Sequence, residues 1–158
     1  VNETIFYEFP APYLDQFPIA KIADAVKNII RKTKPKIMFI PHIGDSHVDH
    51  QIIHKACLIA SRPITNYFVP LILSYETLSE TEWGPKKYDL IFDPNFYISL
   101  SNKDIQKKLA AFKIYKSQIK KNYHPRSIKS IKALAQNRGS NISKEFAEAF
   151  IVIRNILK

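Results

Sequence analysis

The feature that most limits what this chain can fold into is the run Lys36-Ile37-Met38-Phe39-Ile40-Pro41 and what flanks it. Its unbroken apolar stretch, closed by a proline, predicts a strand at 36–41 of the kind buried on both faces of a parallel sheet. Before it, residues 19–32 place Ile22, Ala23, Val26, Ile29 and Ile30 on one helical stripe, and Pro35 ends the helix. After it, residues 42–46 form a loop into a second helix at 48–61, apolar along Ile52, Ile53, Ala56, Cys57 and Ala60. A strand enclosed by two amphipathic helices is the pattern of a doubly wound α/β layer.

The remaining segments extend that layer. Residues 4–9 read as a short β run stopped by Pro10 and Pro12. Opening directly in a strand implies that an earlier piece of the sheet is missing. Further strands are expected at 69–75 and 96–100. The polar residues 80–95 between them, with Trp83, Gly84, Pro85 and Pro94, read as a long surface loop. Ser101 with Asp104 resembles a capping box and opens a helix to about residue 121, apolar at Ile105, Leu109, Phe112 and Ile119. Another helix at 127–137 ends at Gly139, a suitable C-cap. Residues 146–156 alternate poorly and fit strand or helix. With 158 residues there is material for one core and hardly for two, so residues 1–158 are read as a single domain. The fold expected is a three-layer, Rossmann-like α/β sandwich with a mostly parallel sheet that lacks its N-terminal strand or strands.

Charge and cysteine content narrow the function. No run of 18 uncharged apolar residues exists, so no membrane span is expected. A lone cysteine, Cys57, excludes an intramolecular disulfide and favours a reducing, cytoplasmic setting. The net charge of +10 gathers in the second half, at Lys107, Lys108, Lys113, Lys116, Lys120, Lys121, Arg126, Lys129 and Lys132. These cations interleave with apolar residues at helical spacing, which reads first as a solvated helix face. The aromatic residues are absorbed by strands and core, so no stable nucleic-acid partner is expected. An oligomer remains open.

The chemistry concentrates in Asp45-Ser46-His47-Val48-Asp49-His50-Gln51-Ile52-Ile53-His54, which holds three of the five histidines. It follows a strand expected to be parallel, at the carboxyl edge where α/β sheets bind ligands. On a helix, His47 and His50, or His50 and His54, are surface neighbours. His47 and His54 lie about 10.5 Å apart along the axis, too far to share one small ion. One metal could therefore use His50 with either neighbour. A polar helix start, capped by Asp45 or Ser46 with exposed histidines, fits the spacing as well.

Resemblance separates these alternatives. Pro41 followed by Asp45-x-His47-x-Asp49-His50 resembles the second motif of the PIG-L/LmbE N-deacetylases, a strand leading to HxDH. Ser74-Tyr75-Glu76-Thr77 and Glu82-Trp83-Gly84 resemble the middle of bacterial members, and Lys113-x-Tyr115-Lys116-Ser117-Gln118 resembles their long helix. Arg138-Gly139 and Glu145-x-Ala147-Glu148-Ala149-Phe150 resemble their C-terminal signature. The resemblance implies hydrolysis of an N-acetyl group from an amino sugar or sugar conjugate, with Zn²⁺ or another divalent metal as cofactor. It implies His50 as a metal ligand, His47 as the catalytic group facing the oxyanion, and Asp49 as the residue holding His47. It matches no ligand to His54, which is left at the surface or behind the ligands. Asp45, Tyr75, Glu76 and Trp83 are the weaker candidates for binding substrate. The family's first motif, His-Pro-Asp-Asp-Glu, is absent from the sequence. The expectation is therefore a C-terminal part of a deacetylase, incomplete for catalysis alone. The alternative is a basic α/β module that binds an anionic glycan or nucleic acid without catalysis.

Overall fold

The computed structural model describes residues 3–64 and 67–157. Helix α1 (Ile19–Thr33) leads to strand β1 (Ile37–Pro41), then helix α2 (Val48–Ala60) and strand β2 (Leu71–Tyr75). Strand β3 (Phe96–Leu100), helices α3 (Asn102–Ile114) and α4 (Ile128–Ser140), and strand β4 (Phe146–Asn155) complete the order. Among the described residues, no helix is long and apolar enough to cross a membrane.

The four strands form one sheet in the order β1-β2-β4-β3. Only β1 and β2 run parallel, with Ile37 beside Leu71 and Pro41 beside Tyr75. Strand β4 pairs antiparallel with both β2 and β3. The mostly parallel sheet expected from the sequence is thus corrected to a mostly antiparallel one. The cause is the tail at 146–156, which is neither helix nor loop but a ten-residue strand inserted between β2 and β3.

The apolar positions sort by strand pleat. Ile40 and Ile72 join Ile30, Cys57 and Val69 in a core cluster beneath α1 and α2. Side chains alternate across a strand, so Phe39, in ring contact with Phe150 at 5.1 Å, lies on the opposite face. Phe146 shares that face with Phe150 and packs with Ile105, Leu109, Ile131 and Ala135 of α3 and α4. A third cluster sets Leu14 against Ile22, Ala23 and Ala56. Ile37 and Phe39 stay about half exposed, because β1 stands at the end of the strand order.

Three other expectations change. Residues 4–9 form no strand; Phe9 instead packs against the third cluster and stacks with Tyr7 at 5.5 Å. Strand β2 starts at Leu71, after Pro70, which has no N–H to give a ladder. Helix α3 begins at the expected capping box, Ser101 with Asp104, but stops at Ile114. Its apolar stripe ends there: Ile114 and Tyr115 are exposed, so nothing beyond Phe112 anchors a further turn.

Gly139 lies inside α4, with Asn141 as the C-cap. A Cβ at Gly139 would come within 2.6 Å of the Lys144 carbonyl and 2.8 Å of the Phe146 Cα. Both are backbone, so neither can swing aside. Gly139→Ala is expected to destabilise the fold by about 1–3 kcal/mol, as overpacking does. Urea unfolding of the variant beside Ala133→Gly, an exposed site in the same helix expected to cost only about 1 kcal/mol, checks it.

Candidate active site

Parallel pairing of β1 and β2 brings Pro41 and Tyr75 side by side at one sheet edge. The loop 42–46 leaves that edge and delivers the histidines at the start of α2. Its shape depends on two of the chain's three glycines. A Cβ at Gly44 would strike the Leu90 carbonyl at 2.1 Å, and one at Gly84 would strike the Gly44 carbonyl at 1.9 Å. Loops 42–46 and 80–90 therefore touch backbone to backbone, which only glycine permits.

Asp45 has no exposed surface. Its Oδ2 lies 2.7 Å from His50 Nδ1, and its Oδ1 accepts from the Thr81 hydroxyl at 2.5 Å. Its carbonyl accepts from the Gln51 side chain at 2.8 Å. A carboxylate can only accept, so His50 carries its proton on Nδ1 and turns the Nε2 lone pair outward. This carboxylate–histidine arrangement is the usual support for a metal-binding imidazole. Sequence reasoning placed Asp45 with the substrate; in the fold its carboxylate grips His50 instead. Thr81, which completes that grip, was missed, since nothing local ties it to residue 45.

His47 is the N-cap of α2, and its Nδ1 accepts the Asp49 N–H at 3.2 Å. The cap is thus neither Asp45 nor Ser46. Nδ1 is unprotonated in this bond, which leaves Nε2–H as the donor of the neutral ring. The rings of His47 and His50 stack at 5.0 Å, inclined by 14°. Asp49 meets His47 through its backbone, while its carboxylate, nearly buried, accepts the Leu14 N–H at 3.0 Å.

His54 is buried, with Nδ1 2.8 Å from the Pro41 carbonyl, so it is a fixture of the core and not a surface residue. Burial holds its pKa below the usual value, only partly offset by that hydrogen bond. His42, also buried, sits 2.9 Å from the Leu90 carbonyl through Nε2.

Tyr75 and Glu76 line a cavity of about 430 Å³, walled also by Leu78, Phe112, Arg138 and Phe150. Neither His47, His50 nor Trp83 is part of that lining. Burial pushes the Tyr75 phenol pKa up, and the nearby Asp45 and Cys57 add to the shift. Glu76 is held by Arg138 in a two-pronged ion pair, at 2.8 and 2.6 Å. Sequence reasoning gave Arg138 no role, because its partner is 62 positions away. Trp83 is 58% exposed, its ring edge-on to His124 at 5.5 Å.

A zinc ion takes three or four ligands. Among the described residues, no group of three His, Cys, Asp or Glu side chains is close enough to hold one. His50, with its free Nε2 and the Asp45 carboxylate behind it, fits the part of a single ligand. The rest of a set is not furnished here.

Residues 1–61, which include the whole His47–His50 segment, match the family model described as PIG-L, GlcNAc-PI de-N-acetylase. The resemblance to the PIG-L/LmbE deacetylases is borne out. None of the curated proteins matches the sequence. Among solved structures, the conserved protein TT1542 of Thermus thermophilus is 23% identical, with a TM-score of 0.69. The match covers 95% of this chain and 65% of that one. The N,N'-diacetylchitobiose deacetylase of Pyrococcus horikoshii is 17% identical with a TM-score of 0.66, over 92% of this chain and 55% of that one. The A40926 pseudoaglycone deacetylase Dbv21 is 18% identical with a TM-score of 0.66, over 89% of this chain and 58% of that one. At these identities the likeness is one of fold. The chain spans between 55% and 65% of the length of these three structures.

The buried neutral His54 generates a pH prediction. With its folded pKa below the unfolded value of about 6.5, the unfolded chain binds the proton more readily. Above that value both states are neutral and His54 contributes no slope. As pH falls below it, the unfolded state gains protons first and stability drops, levelling once the folded pKa is passed. His54→Gln, whose amide can still donate to the Pro41 carbonyl, is expected to flatten this part of the profile. Urea midpoints from pH 7.5 to 4.5 for both proteins check it; equal slopes would mean that His54 titrates as in the open chain.

Proposed function

We propose that this chain carries the HxDH side of a metal-dependent N-deacetylase acting on an N-acetylated amino sugar or sugar conjugate. The observation that carries the reading is the Asp45–His50 bond, which fixes a metal-ready imidazole beside His47 at the carboxyl edge of β1. The family match over residues 1–61 supports it. The deacetylases of similar fold support it further. On this reading, residues 1–158 are one domain of the three-layer Rossmann-like kind, and strands outside this sequence extend the sheet beyond β1. The ligands and base of the first motif come with that additional polypeptide. A free, buried Cys57, its thiol pushed up to about 11 by burial, fits a reducing cytoplasm.

The roles then follow from the side chains. Bound zinc would polarise the acetyl carbonyl and lower the pKa of a bound water. His50 Nε2 would hold the ion, and its bond to Asp45 fixes the tautomer that leaves this nitrogen free. His47 points its Nε2–H at the oxygen on which charge develops, where a placed donor contributes most. To serve as the acid for the leaving amine, the ring would have to give up its Nδ1 bond to the Asp49 N–H and take a proton there. Asp49 keeps His47 and the 13–17 turn together by its two hydrogen bonds. Tyr75, Glu76 and Trp83 border the place of the sugar.

A second reading, a basic binding module without catalysis, is favoured by one observation: no three-ligand set occurs among the described residues. The two are separated by assaying acetate release from N-acetylglucosamine conjugates, with the chain supplemented by a polypeptide bearing a His-Pro-Asp-Asp-Glu strand. The deacetylase reading expects chelation and His50→Ala to abolish both metal binding and turnover. It expects His47→Ala to keep the metal and slow turnover roughly 10²–10³-fold. Turnover untouched by both substitutions would sink the site assignment.

A further inference from the structure

Residues 105–144 hold eleven lysines and arginines and no aspartate or glutamate. Among the described residues, carboxylates from elsewhere meet three of these cations: Glu148 reaches Lys108, Glu80 reaches Arg126, and Glu76 reaches Arg138. Lys113, Lys116, Lys120 and Lys121 are exposed and have no carboxylate partner among those residues. A solvated helix face does not account for the last three. Helix α3 ends at Ile114 and α4 begins at Ile128, so they sit in a thirteen-residue connection, 115–127. Irregular connections approaching that length inside compact domains are uncommon and are usually either functional loops or linkers. Concentrating like charge on such a loop costs self-repulsion, which an anionic partner removes.

Two further observations say where the partner lies and what it is. The loop is moored to the histidine site: Arg126 lies 3.8 Å from Glu80, and Glu80 also takes the Ser46 hydroxyl at 2.6 Å. His124 meets the Trp83 ring beside it. Alongside the lysines, Tyr115 and Tyr123 project with 64% and full exposure, and Trp83, in contact with His124, is exposed as well. Aromatic faces set among cations beside a site for an N-acetyl sugar match a sugar chain that carries its own negative charge.

We propose that the 115–127 connection, with Lys113 at the end of α3 and Trp83, binds an anionic glycan of N-acetylated amino sugars, so that the substrate is a charged polymer and not an isolated sugar. The inference rests on the deacetylase reading for the sugar, but its test needs neither metal nor turnover. The probe is a hyaluronan decasaccharide, which alternates N-acetylglucosamine with a carboxylate-bearing sugar. Penta-N-acetylchitopentaose is the neutral control and a ten-residue oligothymidylate the nucleic-acid control.

By calorimetry on the purified chain, hyaluronan is expected to bind at least tenfold more tightly than the neutral oligomer. Its affinity should fall about tenfold or more between 50 and 200 mM salt. Lys113→Gln, Lys116→Gln, Lys120→Gln and Lys121→Gln combined should weaken it at least tenfold, and the same four changed to Arg should not. An equal charge loss on the α1 side, Lys27→Gln, Arg31→Gln, Lys34→Gln and Lys36→Gln, should leave it within twofold. Adding a chelator should leave this binding unchanged, which keeps the result apart from the fate of the deacetylase reading. Equal binding of charged and neutral oligomers, no binding of hyaluronan, or equal losses from the two quadruple variants would each overturn the proposal. Tighter binding of oligothymidylate would overturn it in favour of a nucleic-acid surface.

Discussion

The carboxylate of Asp45 has no exposed surface, and a buried charge of that kind survives only when every lone pair in reach is used. Here His50 and Thr81 take its two oxygens, and the Gln51 amide takes its carbonyl. Three pieces of chain, the 42–46 loop, the first turn of α2 and the loop after β2, are thereby fixed around one group. Loss of the carboxylate would leave the Thr81 hydroxyl without its acceptor and free the His50 ring to turn. The histidine geometry, the docking of loop 80–90 and the closeness of Gly44 to Gly84 all lean on this point.

Much of this arrangement was legible locally. The run 36–41, the helical stripes on either side and the HxDH spacing fall within some forty consecutive residues, where period and sterics decide the outcome. The capping box at Ser101 was readable for the same reason, because it closes over three residues. What escaped depends on partners distant in the chain. The direction of the sheet is decided by β4, whose Phe150 must find both Tyr75 and Phe96. Its alternation is blurred because Phe146, Ala147, Ala149 and Phe150 are all buried, on both faces of a strand that has neighbours on each side. The early end of α3 escaped because the lysines continue the helical rhythm after the apolar positions have ceased.

The candidate site divides in the same way. Spacing left His47, Asp49 and His50 open between a metal site and a polar helix start, and only the family resemblance gave them roles; Asp45, the carboxylate that bonds His50, was read as a substrate contact. Asp49, one position before His50 and so turned to another side of the helix, accepts from the Leu14 N–H, while the loop folds Asp45 back under the His50 ring. Only the close contact of two glycines lets that loop come so near to Leu90. Arg138 and Glu76 pair across 62 positions, beyond what pattern alone can pair.

Glu80 ties these two levels together. Its backbone carbonyl accepts the Ser46 N–H, its carboxylate accepts the Ser46 hydroxyl, and the same carboxylate faces Arg126. Ser46 is the residue immediately before His47. The cation-rich loop is therefore one side chain removed from the start of α2, although Ser46 and Arg126 lie far apart in the chain. An anion that drew Arg126 away from Glu80 would leave that carboxylate serving Ser46 alone, so occupancy of the basic loop and the setting of His47 share a single carboxylate.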